Sequence, residues 1–109
     1  MAGDIDSTSA TIWRLHCDVL RIAIELYERD PPLEEWNFIL FLGTVTRIGL
    51  DIEHLASLAN FNGISRVKLD AWRQGRSVPE ITVRKLMVSQ IIKELKRMRA
   101  ELMELIEYT

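Results

Sequence analysis

Cysteine, proline and glycine are scarce in this chain, with one, three and five residues respectively, and each shortage excludes something. A lone Cys17 closes no intrachain disulfide and supplies no zinc cage, so a disulfide-stapled secreted scaffold is excluded and a reducing cytoplasm is the expected compartment. So little Gly and Pro excludes low-complexity or collagen-like sequence. Long apolar runs are also missing. The most apolar stretch, Phe38 to Leu42, stops at Gly43-Thr44 and meets Arg47, far short of the roughly 20 residues of a membrane helix, so no membrane partner is expected. The acidic opening from Met1 to Ser7 lacks the basic flank and apolar centre of a signal peptide, and no export is expected. What is present is the composition of an ordinary core former: 109 residues, 48% hydrophobic and 28% charged, the size of one domain over 1–109.

Charge is nearly balanced overall and unevenly placed. Residues 1–64 carry 4 basic and 10 acidic side chains, residues 65–99 carry 10 and 3, and residues 100–109 carry 0 and 3. A surface field depends on local charge, so the cationic third could face phosphates although the whole chain is net negative. A solvated helix face would account for the same run of charge.

Helical periodicity dominates the pattern. Ile12, Leu15, Val19, Ile22 and Leu26 step by three and four within a helix expected over about 9–29, and Trp13, Leu20, Ile24 and Tyr27 widen that stripe. Asp30-Pro31-Pro32 ends it. A second helix is expected over 33–48, a third over 52–60 capped by Asp51 with Leu55, Ala56 and Ala59 inward, and a fourth over 66–74 capped by Ser65. Gly49, Gly63 and Gly75 mark the stops. After Pro79 no breaker occurs, and a final helix of about 40 Å is expected over 80–107. Within it Val88, Ile91, Leu95, Met98, Leu102 and Leu105 form a coiled-coil-like seam, read as a homodimer contact, with the first helix of the same chain as the other possible partner. No strand-like alternation appears, and the class is all-α with about five helices.

Two short helices joined by a glycine turn and followed by a basic loop form a helix-turn-helix pattern, here over about 33–79. On a helical wheel for residues 65–74, Leu69 and Trp72 point to the core, leaving Val67, Asp70, Ala71 and Gln74 outward, flanked by Arg66, Lys68 and Arg73. Long cations reach phosphates or guanine edges, while small Val67 and Ala71 permit close approach to thymine methyls.

Gly49-Leu50-Asp51 followed by Leu55-Ala56 resembles the Gly-Leu-Thr-x-x-x-Leu-Ala opening of the lambda-repressor-like (Cro-type) helix-turn-helix DNA-binding domains. The segment from Ser65 to Pro79 reproduces that family's spacing of Ser, aliphatic, Trp, Gly and Pro. The resemblance spans about residues 33–92. It implies base contacts from Arg66, Val67 and Ala71 and backbone contacts from Ser65, Lys68, Gln74 and Arg76, on double-stranded DNA, without a cofactor or metal. It also implies a dimeric repressor on a palindromic operator. The chain departs from the family in about three extra residues between Ala56 and Ser65, in Ile52 where a phosphate-binding Gln is frequent, and in its two long terminal helices.

The other functional candidates have plainer readings. His16 and Cys17 are adjacent, so their side chains diverge by about 100° on a helix and form no catalytic pair. His54 is expected to be exposed, Glu101, Glu104 and Glu107 to be a solvated row, and Met87, Met98 and Met103 to be filler. No enzyme is expected. The rival to DNA binding is a helical protein-interaction module, such as an adaptor or antitoxin-like partner, engaging protein through the long helices.

Overall fold

The computed structural model describes residues 2–108, with side chains from Thr8 onward; Met1 and Thr109 lie outside the described residues. The protein is all-α, and the described residues form five helices: α1 (Ala2–Arg29), α2 (Glu35–Arg47), α3 (Ile52–Phe61), α4 (Arg66–Arg73) and α5 (Ile81–Glu107). The described residues contain no strand.

Local chemistry sets the boundaries. Asp51 accepts a hydrogen bond from the His54 N–H at 2.8 Å and caps α3, and Ser65 accepts one from the Lys68 N–H at 3.3 Å and caps α4. Both α3 and α4 end in a left-handed glycine, Gly63 at φ 77° and Gly75 at φ 72°. After each, the next N–H reaches back five residues, Ile64 to Ala59 O and Arg76 to Ala71 O, which satisfies carbonyls the helix leaves open. The second helix starts two residues later than the sequence predicts. Pro31-Pro32 keeps the chain extended, and Glu34 still has ψ 149°. The first helix starts earlier than predicted, since no proline interrupts residues 2–8.

α1 and α5 pair along their length and run antiparallel: Glu28 near the end of α1 meets Lys96 at 3.1 Å, while Cys17 faces the Arg99 carbonyl farther along α5. Buried Leu20 and Ile24 of α1 and Val88, Ile91 and Leu95 of α5 belong to one core with Phe38, Phe41 and Leu42 of α2. Each such side chain, fully buried, contributes about 1.5 to 3 kcal/mol. Two aromatic contacts fasten the layers. Tyr27 of α1 meets Phe41 of α2 edge-on at 4.7 Å, and Phe38 of α2 meets Trp72 of α4 edge-on at 6.3 Å.

Two expectations are corrected here. The α5 seam is consumed within the chain: Val88, Ile91 and Leu95 are buried, Met98 and Leu102 pack half-buried against the same core, and Leu105 alone of the six is exposed. A second copy cannot reach the buried three without prising α5 from α1. The row Ile12, Leu15, Val19, Ile22 and Leu26 does not face the core at all; every member is exposed. The reason is that α1 carries a second apolar row, Cys17, Leu20, Ile24 and Tyr27, with the same three-and-four spacing. It lies roughly 140° around the helix from the first, at about 100° per residue. That second row is the one α5 and α2 cover.

Candidate nucleic-acid interface

α4 is seated by Leu69 and Trp72, both buried, and they share the face that the wheel assigned to the core. Its opposite face is presented to solvent. Ser65, Arg66, Val67, Lys68, Gln74 and Arg76 are all exposed, Val67 at 76%, and Ala71 is half-buried between them and the core side. The residues singled out from the sequence therefore come together on one short helix and its two caps. Asp70 and Arg73 sit lower, half-buried, along the edge of that face.

The electrostatics differ from those of a bare basic helix. Arg66 Nε donates to Asp70 Oδ1 at 3.2 Å, and Arg66 Nη1 donates across the turn to Glu53 Oε1 of α3, also at 3.2 Å. Its hydrogen bonds to Glu53 and, next, to Asp70 hold the guanidinium above its ordinary pKa. Arg73 approaches the same Asp70 carboxylate at 3.6 Å. Among the described residues Lys68 and Arg76 form no ion pair, so they are the cations most open to an incoming phosphate.

The same pattern runs through the cationic third of the chain. Arg84 lies 4.0 Å from Glu35 and donates to the Pro79 carbonyl at 2.8 Å; Lys96 pairs with Glu28; Arg97 pairs with Glu94 and Glu101. Three of the ten cations of residues 65–99, Arg66, Arg84 and Lys96, thus meet carboxylates of the acidic first part of the chain across the fold, while Arg97 is matched within α5, and the cation surplus counted along the sequence overstates the field at the surface.

His54 departs from its expected exposure. It is half-buried, with Nε2 2.8 Å from Glu94 Oε1, which ties α3 to α5. Arg97 hydrogen-bonds that same carboxylate and holds it below the usual carboxylate range, against the opposing effect of its burial, and His54 acts in the same sense as Arg97. Glu53 and Glu94 were not among the residues the sequence singled out. Arg66 and Asp70 stand at the i,i+4 spacing of a helical ion pair, a signal the sequence does contain. Glu53 is 13 positions from Arg66, and no local rule connects them.

Elsewhere, His16 Nε2 donates to the Ile48 carbonyl at 2.5 Å and Cys17 Sγ points to a backbone carbonyl, so neither is oriented toward the other. Among the described residues no three His, Cys, Asp or Glu side chains converge on a metal site, and no helix is long and apolar enough to cross a membrane. Comparison of the chain with protein-family models, with curated proteins and with solved structures gives no match.

Proposed function

We propose that the protein binds double-stranded DNA through α4, as a sequence-specific, two-fold symmetric homodimer that regulates transcription, most simply as a repressor. The observation that carries this reading is the disposition of α4. A helix held rigidly by Leu69 and Trp72 and capped by Ser65 offers Val67, Lys68 and Gln74 on its outer face and Arg76 just beyond its end. Lys68 and Arg76 suit phosphates on either side of a groove. Val67 suits the close apolar contact a base edge requires, and Arg66 is positioned to exchange its carboxylate partners for a guanine. No cofactor and no catalytic step belong to this reading.

A second reading, a helical protein-interaction module, is favoured by one observation: the solvent-exposed apolar row of α1. Selection of bound fragments from a random duplex pool distinguishes the two. DNA recognition is expected to enrich a palindrome whose half-sites are spaced by about one helical turn. A pool with no enriched sequence, bound no better than at random, would leave α4 a structural helix and the protein-interaction module in its place.

A further inference from the structure

The largest unexplained feature of the molecule is the outward face of α1. Ile12, Leu15, Val19, Ile22 and Leu26 are 57%, 62%, 43%, 56% and 42% exposed, in an unbroken row along the helix. Scattered apolar side chains at a surface need no explanation, whereas a continuous row of five is unusual. These five residues expose roughly 450 Å², the size of the largest apolar patch on a typical monomer, and such a patch often carries function. At the C-terminal end of α1 the patch continues into a groove of about 590 Å³ shared with α2, lined by Leu26 and half-exposed Leu40.

We infer that this face of α1 binds the same face of a second copy of the chain, and that it, not the α5 seam, is the dimer interface. The inference rests on the two-fold dimer proposed above and names its surface. Three observations identify the occupant as another copy. The first is spacing: in heptad terms Ile12, Val19 and Leu26 fall at one seam position and Leu15 and Ile22 at the other, the pattern that interlocks with a matching helix. The second is area. Covering the row on both copies removes about 900 Å², close to the 1,000 Å² a specific interface must clear, before Leu40 and the flanking residues contribute.

The third is symmetry. A two-fold contact uses the same patch on both partners, so the patch must complement itself. Ile12 and Leu26 lie seven residues to either side of Val19, so an antiparallel second copy centred on Val19 sets Ile12 opposite Leu26 and brings the row onto itself.

Sedimentation velocity of the full chain at micromolar concentration tests the inference, with circular dichroism to follow the fold. The wild type is expected to be a dimer. Val19→Glu with Ile22→Glu, both at exposed positions, is expected to raise the dimer dissociation constant by at least roughly 100-fold, because two unpaired charges would be buried in the contact. Helicity and melting of the monomer should be retained. Leu15→Ala with Ile22→Ala introduces no charge and keeps good helix formers; it should weaken the dimer by roughly 10-fold or more through lost apolar area. A wild-type chain that sediments as a monomer overturns the dimer and this interface together. A wild-type dimer that both variants leave intact overturns the α1 face alone and leaves the dimer standing. Dissociation of the variants in a chain that binds no DNA would uphold the interface while removing the DNA-binding function.

Discussion

Arg66 Nη1 donates to Glu53 Oε1 at 3.2 Å, so the first residue of α4 is anchored to α3 rather than free in solvent. On a face that receives phosphates, Glu53 acts twice against binding, by occupying the guanidinium and by adding a negative charge of its own. Glu53→Gln is therefore expected to tighten binding to operator several-fold and, by less, to scrambled duplex, as Arg66 becomes available to a base edge and a repulsive charge is removed. Anisotropy titrations at three salt concentrations measure both. Binding that is unchanged or weaker in this variant would mean that α3 and α4 do not meet the DNA backbone.

Arg66 and Arg76 should then separate by role. An arginine that pairs bidentately with guanine carries about 1 to 3 kcal/mol of discrimination, so Arg66→Ala is expected to relax preference at one position in each half-site. Arg76 lies past the helix end without an ion partner among the described residues, and its removal should weaken operator and scrambled duplex alike and lower the salt slope by about 1 per site. If Arg76→Ala affected only the operator, the loop would be reading bases and the assignment of roles would be reversed.

Glu94 is shared between His54 of α3 and Arg97 of α5. Its carboxyl is held below the ordinary value of 4.5, chiefly by Arg97. A group whose folded pKa is depressed stabilises the fold fully above the unfolded value and loses that contribution as pH falls through the folded one. Thermal stability should therefore drop as pH is lowered below about 4.5, and Glu94→Gln should flatten this acid limb while costing about 1 kcal/mol at neutral pH. An acid limb of equal steepness in the variant would place the responsible carboxylate elsewhere.

Where a single turn of chain decides the outcome, the sequence is legible. Asp51 and Ser65 cap the helices they precede, and Leu69 and Trp72 fall on the buried side of α4, because caps and helical wheels involve residues a few positions apart. The choice of which α1 face is buried is not local. Two rows with the same spacing compete, and only the position of α5 and α2 in three dimensions selects Leu20 and Ile24 over Val19 and Ile22. The ion pairs fail for the same reason. Glu28 and Lys96 are 68 positions apart, and a count of charge along the chain cannot tell that they neutralise each other.

Gly75 tests conformation separately from space. Its φ of 72° is left-handed, yet a β-carbon placed there would meet nothing closer than Ile39 Cδ1, at 3.8 Å. Gly75→Ala is therefore expected to cost about 1 to 2 kcal/mol through backbone strain alone, with no loss of α4 packing. Urea unfolding gives the magnitude. A neutral effect would mean that the chain leaves α4 by another path and that the reach of the Arg76 N–H back to Ala71 is dispensable.

Trp72 bears most directly on whether α4 is held firmly enough to read a groove. It is 6% exposed, lies beside Leu69 on the inner side of α4, and contacts Phe38 of α2 edge-on. Removing a buried aromatic of this kind leaves a cavity that the surrounding side chains fill only partly, and Trp72→Ala is expected to cost about 3 to 5 kcal/mol in urea unfolding. A loss of that size is a large part of the stability of a domain this small, so operator binding should fail through loss of the fold rather than loss of a contact. Trp72→Phe keeps an aromatic edge against Phe38 and should retain most of the stability together with operator binding. Should Trp72→Ala unfold at the same urea concentration as the wild type, the side chain would be exposed and α4 rotated about its axis. Val67, Lys68 and Gln74 would then no longer be the residues it presents.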